Sequence, residues 1–196
     1  MSCAVPGVGR TRVPPLAALV LVAAWALLAP YACATTYLQL TPEAMLAKAS
    51  LVFVGTVSDV SVKNDNGTPW THVSFTVDVA LKGVSVDAQG QATQPVELAF
   101  LGGSVPGGPA LTVGGMPQFT KGEKVLVFAY DQAYASPIVG FRQALWRVTP
   151  AGLQDEDGQL LSLTDSGKLV SGGSGAPLDS IVTAIRDALG SSGGTP

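Results

Sequence analysis

Few side chains in this chain of 196 residues have the types and spacing that chemistry requires. One histidine, His72, and two cysteines, Cys3 and Cys33, are all that it offers for thiol or imidazole work. Paired-histidine metal sites and Cys-rich zinc sites therefore have too few members to assemble. His72 shares a strand face with Asp78, but six residues at about 3.3 Å each put them roughly 20 Å apart. A Ser-His-Asp triad would need partners from other strands, and a carboxylate pair would have to bring Glu97 to Asp78. The chain has neither a G-x-S-x-G elbow nor an H-E-x-x-H pattern.

Three further groups invite a ligand. Gly102 to Gly115 is rich in glycine, with Gly107 and Gly108 at its centre, but it has no G-K-[ST] ending and no basic residue. It reads as a hairpin connection or a binding loop and not as a phosphate cradle. Asp155-Glu156-Asp157-Gly158 lacks the alternating acids and closing Glu of a calcium loop, so a solvated turn is expected. Trp70 and Tyr134, with Trp146, could form an aromatic platform for peptide or sugar, although Trp146 lies in an alternating apolar pattern that favours the core.

The elements that must position these residues begin after an export signal. Arg10 and Arg12 precede an apolar run from Leu16 to Ala29, and Ala32-Cys33-Ala34 gives the small-x-small cleavage pattern. At a 1.5 Å rise that run of 14 residues reaches only about 21 Å, short of a bilayer's ~30 Å core. A lipidated Cys33 would want an aliphatic residue where Pro30 stands. Cleavage after Ala34 removes both cysteines and leaves 162 of the 196 residues, without a thiol. The 11 basic residues less Arg10 and Arg12 leave 9 against 14 acids, a net charge of −5 that argues against nucleic acid as a partner. No other run is long and apolar enough to span a bilayer. The expected location is secreted, periplasmic or at the cell envelope.

Thr41-Pro42-Glu43 opens a short helix over 42–49. Leu51 to Val62 reads as a long first strand that can bend at Gly55, and Asn64-Asp65-Asn66-Gly67 as a hairpin turn. Val73 to Leu81 alternates with period two, Val96 to Phe100 repeats the pattern, and Lys124 to Tyr130 is apolar on both faces and so central. Ile138 to Thr149 is expected as a fifth strand. The predicted organisation is a signal peptide at 1–34, a barrel domain at 35–170, a Gly/Ser linker at 171–177, an amphipathic helix at 178–190 and a disordered tail at 191–196. The predicted fold is mainly β: a small, partly open antiparallel barrel of the OB type, with a short N-terminal helix and a C-terminal amphipathic helix.

Ala49 to Val57, Val73 to Gly83 and Val96 to Phe100 together resemble the netrin-like module of the tissue inhibitors of metalloproteinases. Gly114 to Phe119 with Lys121 to Phe128 is similar to a group of short exported bacterial proteins. The resemblance covers about 41–148 and consists mostly of strand pattern and turn glycines. It implies a non-enzymatic protein without a cofactor or metal of its own, whose partner is another protein, a secreted zinc protease. In that family the α-amine and carbonyl of the first residue chelate the protease's zinc, and the next side chain enters its specificity pocket. Here those positions would be Thr35 and Thr36, without the family's cysteine or disulfides. The alternative expectation is a cell-envelope module for peptide or carbohydrate, built on Trp70, Tyr134 and the loop around Gly107 and Gly108. A hydrolase using His72 or a Glu97–Asp78 pair is the third.

Overall fold

The computed structural model describes residues 38–192. The expected signal peptide, Thr35, Thr36, Tyr37 and the last four residues lie outside them. Within the unit that begins at Gln39, Thr41 caps helix α1 (Pro42–Lys48): its hydroxyl accepts from Ala44 N, and Pro42 takes the first helical position, where no donor is needed.

Strands β1 (Leu51–Asp65) and β2 (Thr68–Lys82) form one long hairpin. Its two-residue turn sets Asn66 and Gly67 at φ 48° and 87°, the positive pair that a tight hairpin requires. Strands β3 (Val96–Leu101), β6 (Lys124–Ala129), β7 (Leu145–Thr149) and β8 (Gly152–Gln154) complete a six-stranded antiparallel sheet in the order β3-β2-β1-β6-β7-β8. Strands β4 (Gly103–Ser104) and β5 (Ala110–Leu111) make one small sheet, and β9 (Leu161–Leu163) and β10 (Leu169–Ser171) another. Helix α2 (Leu178–Ser192) ends the described chain.

The mainly β architecture and both helices agree with the sequence. Among the described residues no ladder joins β3 to β8, so no closed barrel is present. One hydrogen bond does cross from the β3 edge, Leu101 N–H to Ala135 O at 2.7 Å.

Strand β1 serves two neighbours. Its first six residues, Leu51 to Thr56, pair with β6 on one side and, from Val52 on, with β2 on the other; beyond that only β2 accompanies it. The change occurs where Ser58 is skipped in the register, between Val57↔Phe75 and Asp59↔Ser74. Such an extra residue bends a strand and increases its twist. Ser58 satisfies itself by donating to Ser74 O at 3.0 Å. Gly55 is needed for contact, since a Cβ there would lie 2.9 Å from Thr76 O.

The core follows from the alternation. Phe53, Phe75, Phe100 and Phe128 are buried, as are all of Val125 to Ala129. Full burial of each large apolar side chain contributes about 1.5–3 kcal/mol. Phe119 reaches in from the connection between β5 and β6 and meets Phe75 at 5.7 Å and Phe100 at 4.9 Å between ring centroids. Helix α2 buries Ile181, Val182 and Ile185, as its spacing predicts. The Gly/Ser segment before it is held: Ala176 N–H donates to Leu161 O and Gly175 N–H to Ser162 Oγ. Among the described residues no helix is long and apolar enough to cross a membrane.

The expected fifth strand is divided. Ile138 makes an isolated bridge to Ala129, the chain then turns through Gly140 and Phe141 at φ 67° and 70°, and the strand itself begins only at Leu145. Two consecutive left-handed residues cannot continue an extended strand.

Candidate functional site

The connection between β6 and β7, residues 130–144, is where the structure concentrates unusual backbone and exposed aromatic surface. Its floor is rigid. Ile138 and Val139 have no exposed surface, Val139 N–H donates to Phe128 O at 3.0 Å, and Tyr130 N–H donates to Pro137 O at 2.8 Å. Ser136 is buried, donates its hydroxyl to Phe141 O and accepts from Ile138 N. That tie holds Phe141 in a conformation a non-glycine residue rarely adopts. The result is an open hollow of about 440 Å³ lined by Tyr130, Tyr134, Ser136, Ile138 and Phe141. Tyr130 and Tyr134 meet edge to face at 4.9 Å, and Tyr134 is 46% exposed.

The N-terminal end of the compact unit is fastened to this same connection. Leu40 N–H donates to Gln143 Oε1 at 2.8 Å, and a Cβ at Gly140 would lie 3.0 Å from Leu40 Cδ1. Leu40 packs on the core, and Thr41 then starts α1. Leu40 is thus fixed beside the aromatic hollow.

The other predicted residues are dispersed. Trp70 sits on β2 opposite Lys63 of β1 and Leu101 of β3. Through the bond from Leu101 to Ala135, it is one strand pairing away from the connection that carries Tyr134. Gly107 and Gly108 are exposed in the turn between β4 and β5, where Gly108 N–H donates to Val105 O. Trp146 is 1% exposed and packs on Phe128 at 5.3 Å, which makes it core; its buried Nε1 has no hydrogen-bond partner among the described residues.

Glu97 and Asp78 are not brought together. Asp78 binds Lys124 Nζ and Thr56 Oγ1, each at 3.1 Å. Glu97 accepts from His72 Nδ1 at 2.7 Å, with Lys63 Nζ 3.6 Å from the same oxygen. The hydrogen bond from His72, helped by the charge of Lys63, holds the Glu97 carboxyl below the usual glutamate range against a smaller opposing effect of desolvation. This trio spans β1, β2 and β3 on their polar face and serves as a cross-strand tie.

The acidic tip acts as a turn with ion pairs. Asp155 Oδ1 accepts from Asp157 N and Gln159 N, while Glu156 and Asp157 meet Arg142 at 3.1 and 3.4 Å. Arg147 joins Glu156, Glu123 and the carbonyl of Gln118. Sequence reading missed this network and also missed Ser136. Arg142 and Arg147, set five apart beside an acidic run, were the available signal for the first; nothing local marks the second. No cluster of three or more His, Cys, Asp or Glu side chains that could hold a metal occurs among the described residues.

No family model, no curated protein and no solved structure matches this chain.

Proposed function

We propose that the chain is an exported, non-enzymatic binding protein with a partly open, netrin-like barrel of the OB type. Its partner is another protein, and a secreted zinc protease fits best. The curling of the sheet is supported by the bulge at Ser58, the bond from Leu101 to Ala135, and the packing of Phe119 against Phe75 and Phe100.

The observation that carries the functional reading is the anchoring of Leu40 beside the hollow of Tyr130 and Tyr134. Cleavage after Ala34 leaves five residues, Thr35 to Gln39, ahead of that anchor. An α-amine and its carbonyl chelate zinc whatever side chain they carry, so Thr35 would supply the chelate and Thr36 the side chain for the specificity pocket. Such a wedge binds well only if its ordering cost is met before contact. The netrin-like inhibitors use disulfides for this purpose. Here the Gln143 hydrogen bond and the capped helix at Thr41 would fix the base of the wedge at Leu40, and Tyr134 would add contact area at the flank. Zinc belongs to the partner.

The test is to sequence the N-terminus of the protein secreted by its host and titrate the same sample against a panel of secreted zinc proteases. The expected result is a start at Thr35 and inhibition that N-terminal acetylation abolishes. A different start, or no inhibition at any concentration, overturns the reading in favour of an envelope module for peptide or carbohydrate. Tyr134 and Trp70, lying on neighbouring elements, favour that second reading. It expects Trp70→Ala to abolish ligand binding, whereas the first expects that variant to inhibit normally.

A further inference from the structure

A second surface lies apart from the hollow, where α1, the β9–β10 hairpin and α2 diverge. They leave an open groove of about 880 Å³. Leu46, Leu163 and Leu169 form an apolar floor, and Ala184 keeps the wall of α2 low, so that a second element can approach. Four charged side chains border it: Glu43 from α1, Asp179 and Asp187 from α2, and Lys168 from β9–β10.

The carboxylates of the rim are uncompensated. Among the described residues no ion pair engages Glu43, Asp179 or Asp187, and Lys168 makes none with them. Three carboxylates around an apolar floor repel one another and attract cations, and the floor rewards an apolar side chain that displaces water. An anionic membrane or nucleic acid meets the wrong sign of charge. A neutral small molecule would leave the carboxylates unused.

We propose that this groove docks a cationic amphipathic helix of a partner protein. The spacing suits one: Asp179 and Asp187 are eight residues apart, about 12 Å along α2 at a 1.5 Å rise. A helix lying alongside presents basic residues at that separation when they recur every seven or eight positions, with its leucines turned to the floor. This surface is independent of the N-terminal wedge.

The probe is a fluorescein-labelled, end-capped 14-residue peptide of leucine and lysine patterned as an amphipathic helix. Its binding to the full secreted chain is read by fluorescence anisotropy at low and high salt. Saturable binding of one peptide per chain is expected, weakening as salt rises. Asp179→Lys with Asp187→Lys should weaken it at least tenfold, and a matching leucine and glutamate peptide should bind that variant better than the parent. Circular dichroism and the melting temperature establish that the variant folds. Ala184→Phe, which fills the groove without changing charge, should also block the peptide. The proposal is overturned if charge reversal leaves binding unchanged, or if the glutamate peptide binds the parent equally well. It is likewise overturned if sedimentation shows the parent self-associating through this face and the reversal abolishing it, because the occupant is then a second copy.

Discussion

Two long connections leave the sheet, and they differ in how their backbone is held. The segment from Gly102 to Gly115 is rich in glycine, carries Gly107 at φ 68° in an open turn, and is ordered by the two-residue ladder of β4 with β5 and by bonds of Gly102 to Pro69 and Thr71 at its root. The segment from Asp131 to Ala144 has one glycine, yet Ser136, Ile138 and Val139 are buried, its backbone bonds to β6, and its Ala135 carbonyl accepts from β3. Glycine therefore marks where the backbone is free to turn. Hollows adjoin both connections, about 440 Å³ at the second and about 370 Å³ at the first, and at the second it is buried side chains and the Ser136 tie that hold the surrounding backbone.

The sharpest way to break the contrast is Ile138→Ala. The side chain is fully buried beneath the hollow, so its loss should cost about 2–5 kcal/mol in urea unfolding. A cost near zero would mean that this connection is as loose as the other. Ser136→Ala comes next, because it removes the hydroxyl that bonds the carbonyl of Phe141 and the amide of Ile138. It should cost about 1–3 kcal/mol by the same measurement. In the glycine-rich connection, Gly107→Ala should lose about 1–2 kcal/mol from the left-handed backbone alone, since nothing lies within 4 Å of the added methyl. Gly114→Ala meets neither neighbours nor a positive φ. It should stabilise by about 0.4–1 kcal/mol by restricting the unfolded chain.

The same contrast governs what the sequence made legible. Strands β1, β2, β3 and β6 were readable because their burial follows a period of two or a continuous apolar run, which is written locally. Helix α1 was readable from Thr41-Pro42-Glu43, and α2 from its repeat of Leu178, Ile181, Val182, Ile185 and Leu189. The division of the stretch from Ile138 to Thr149 was not, since Phe141 gives no local sign that Ser136 will hold it at positive φ. Trp70 and Gly107 attracted attention through residue type, whereas Leu40 and Gln143 form an anchor only because the fold joins residues 103 positions apart. A long-range hydrogen bond between an ordinary leucine and an ordinary glutamine has no compositional signature.

The smallest expected effect separates the roots of the two connections by pH. Strand β3 leads into the glycine-rich segment, and the bond of Glu97 with His72 and Lys63 ties it to β2 and β1. The ties of Ser136 to Phe141 and Ile138, by contrast, are uncharged. Because folding lowers the Glu97 pKa, its contribution is complete above the usual glutamate value and is lost as pH falls through the depressed folded value. Amide exchange of β3 measured across the acid range should therefore accelerate as Glu97 protonates, and that step, unlike any that the ion pairs of Arg142 with Glu156 and Asp157 bring near Val139, should depend on Glu97. Glu97→Gln should remove the step in β3 and leave Val139 unchanged. A step shared by both regions would mean that they open together, and the two connections would then belong to one cooperative unit.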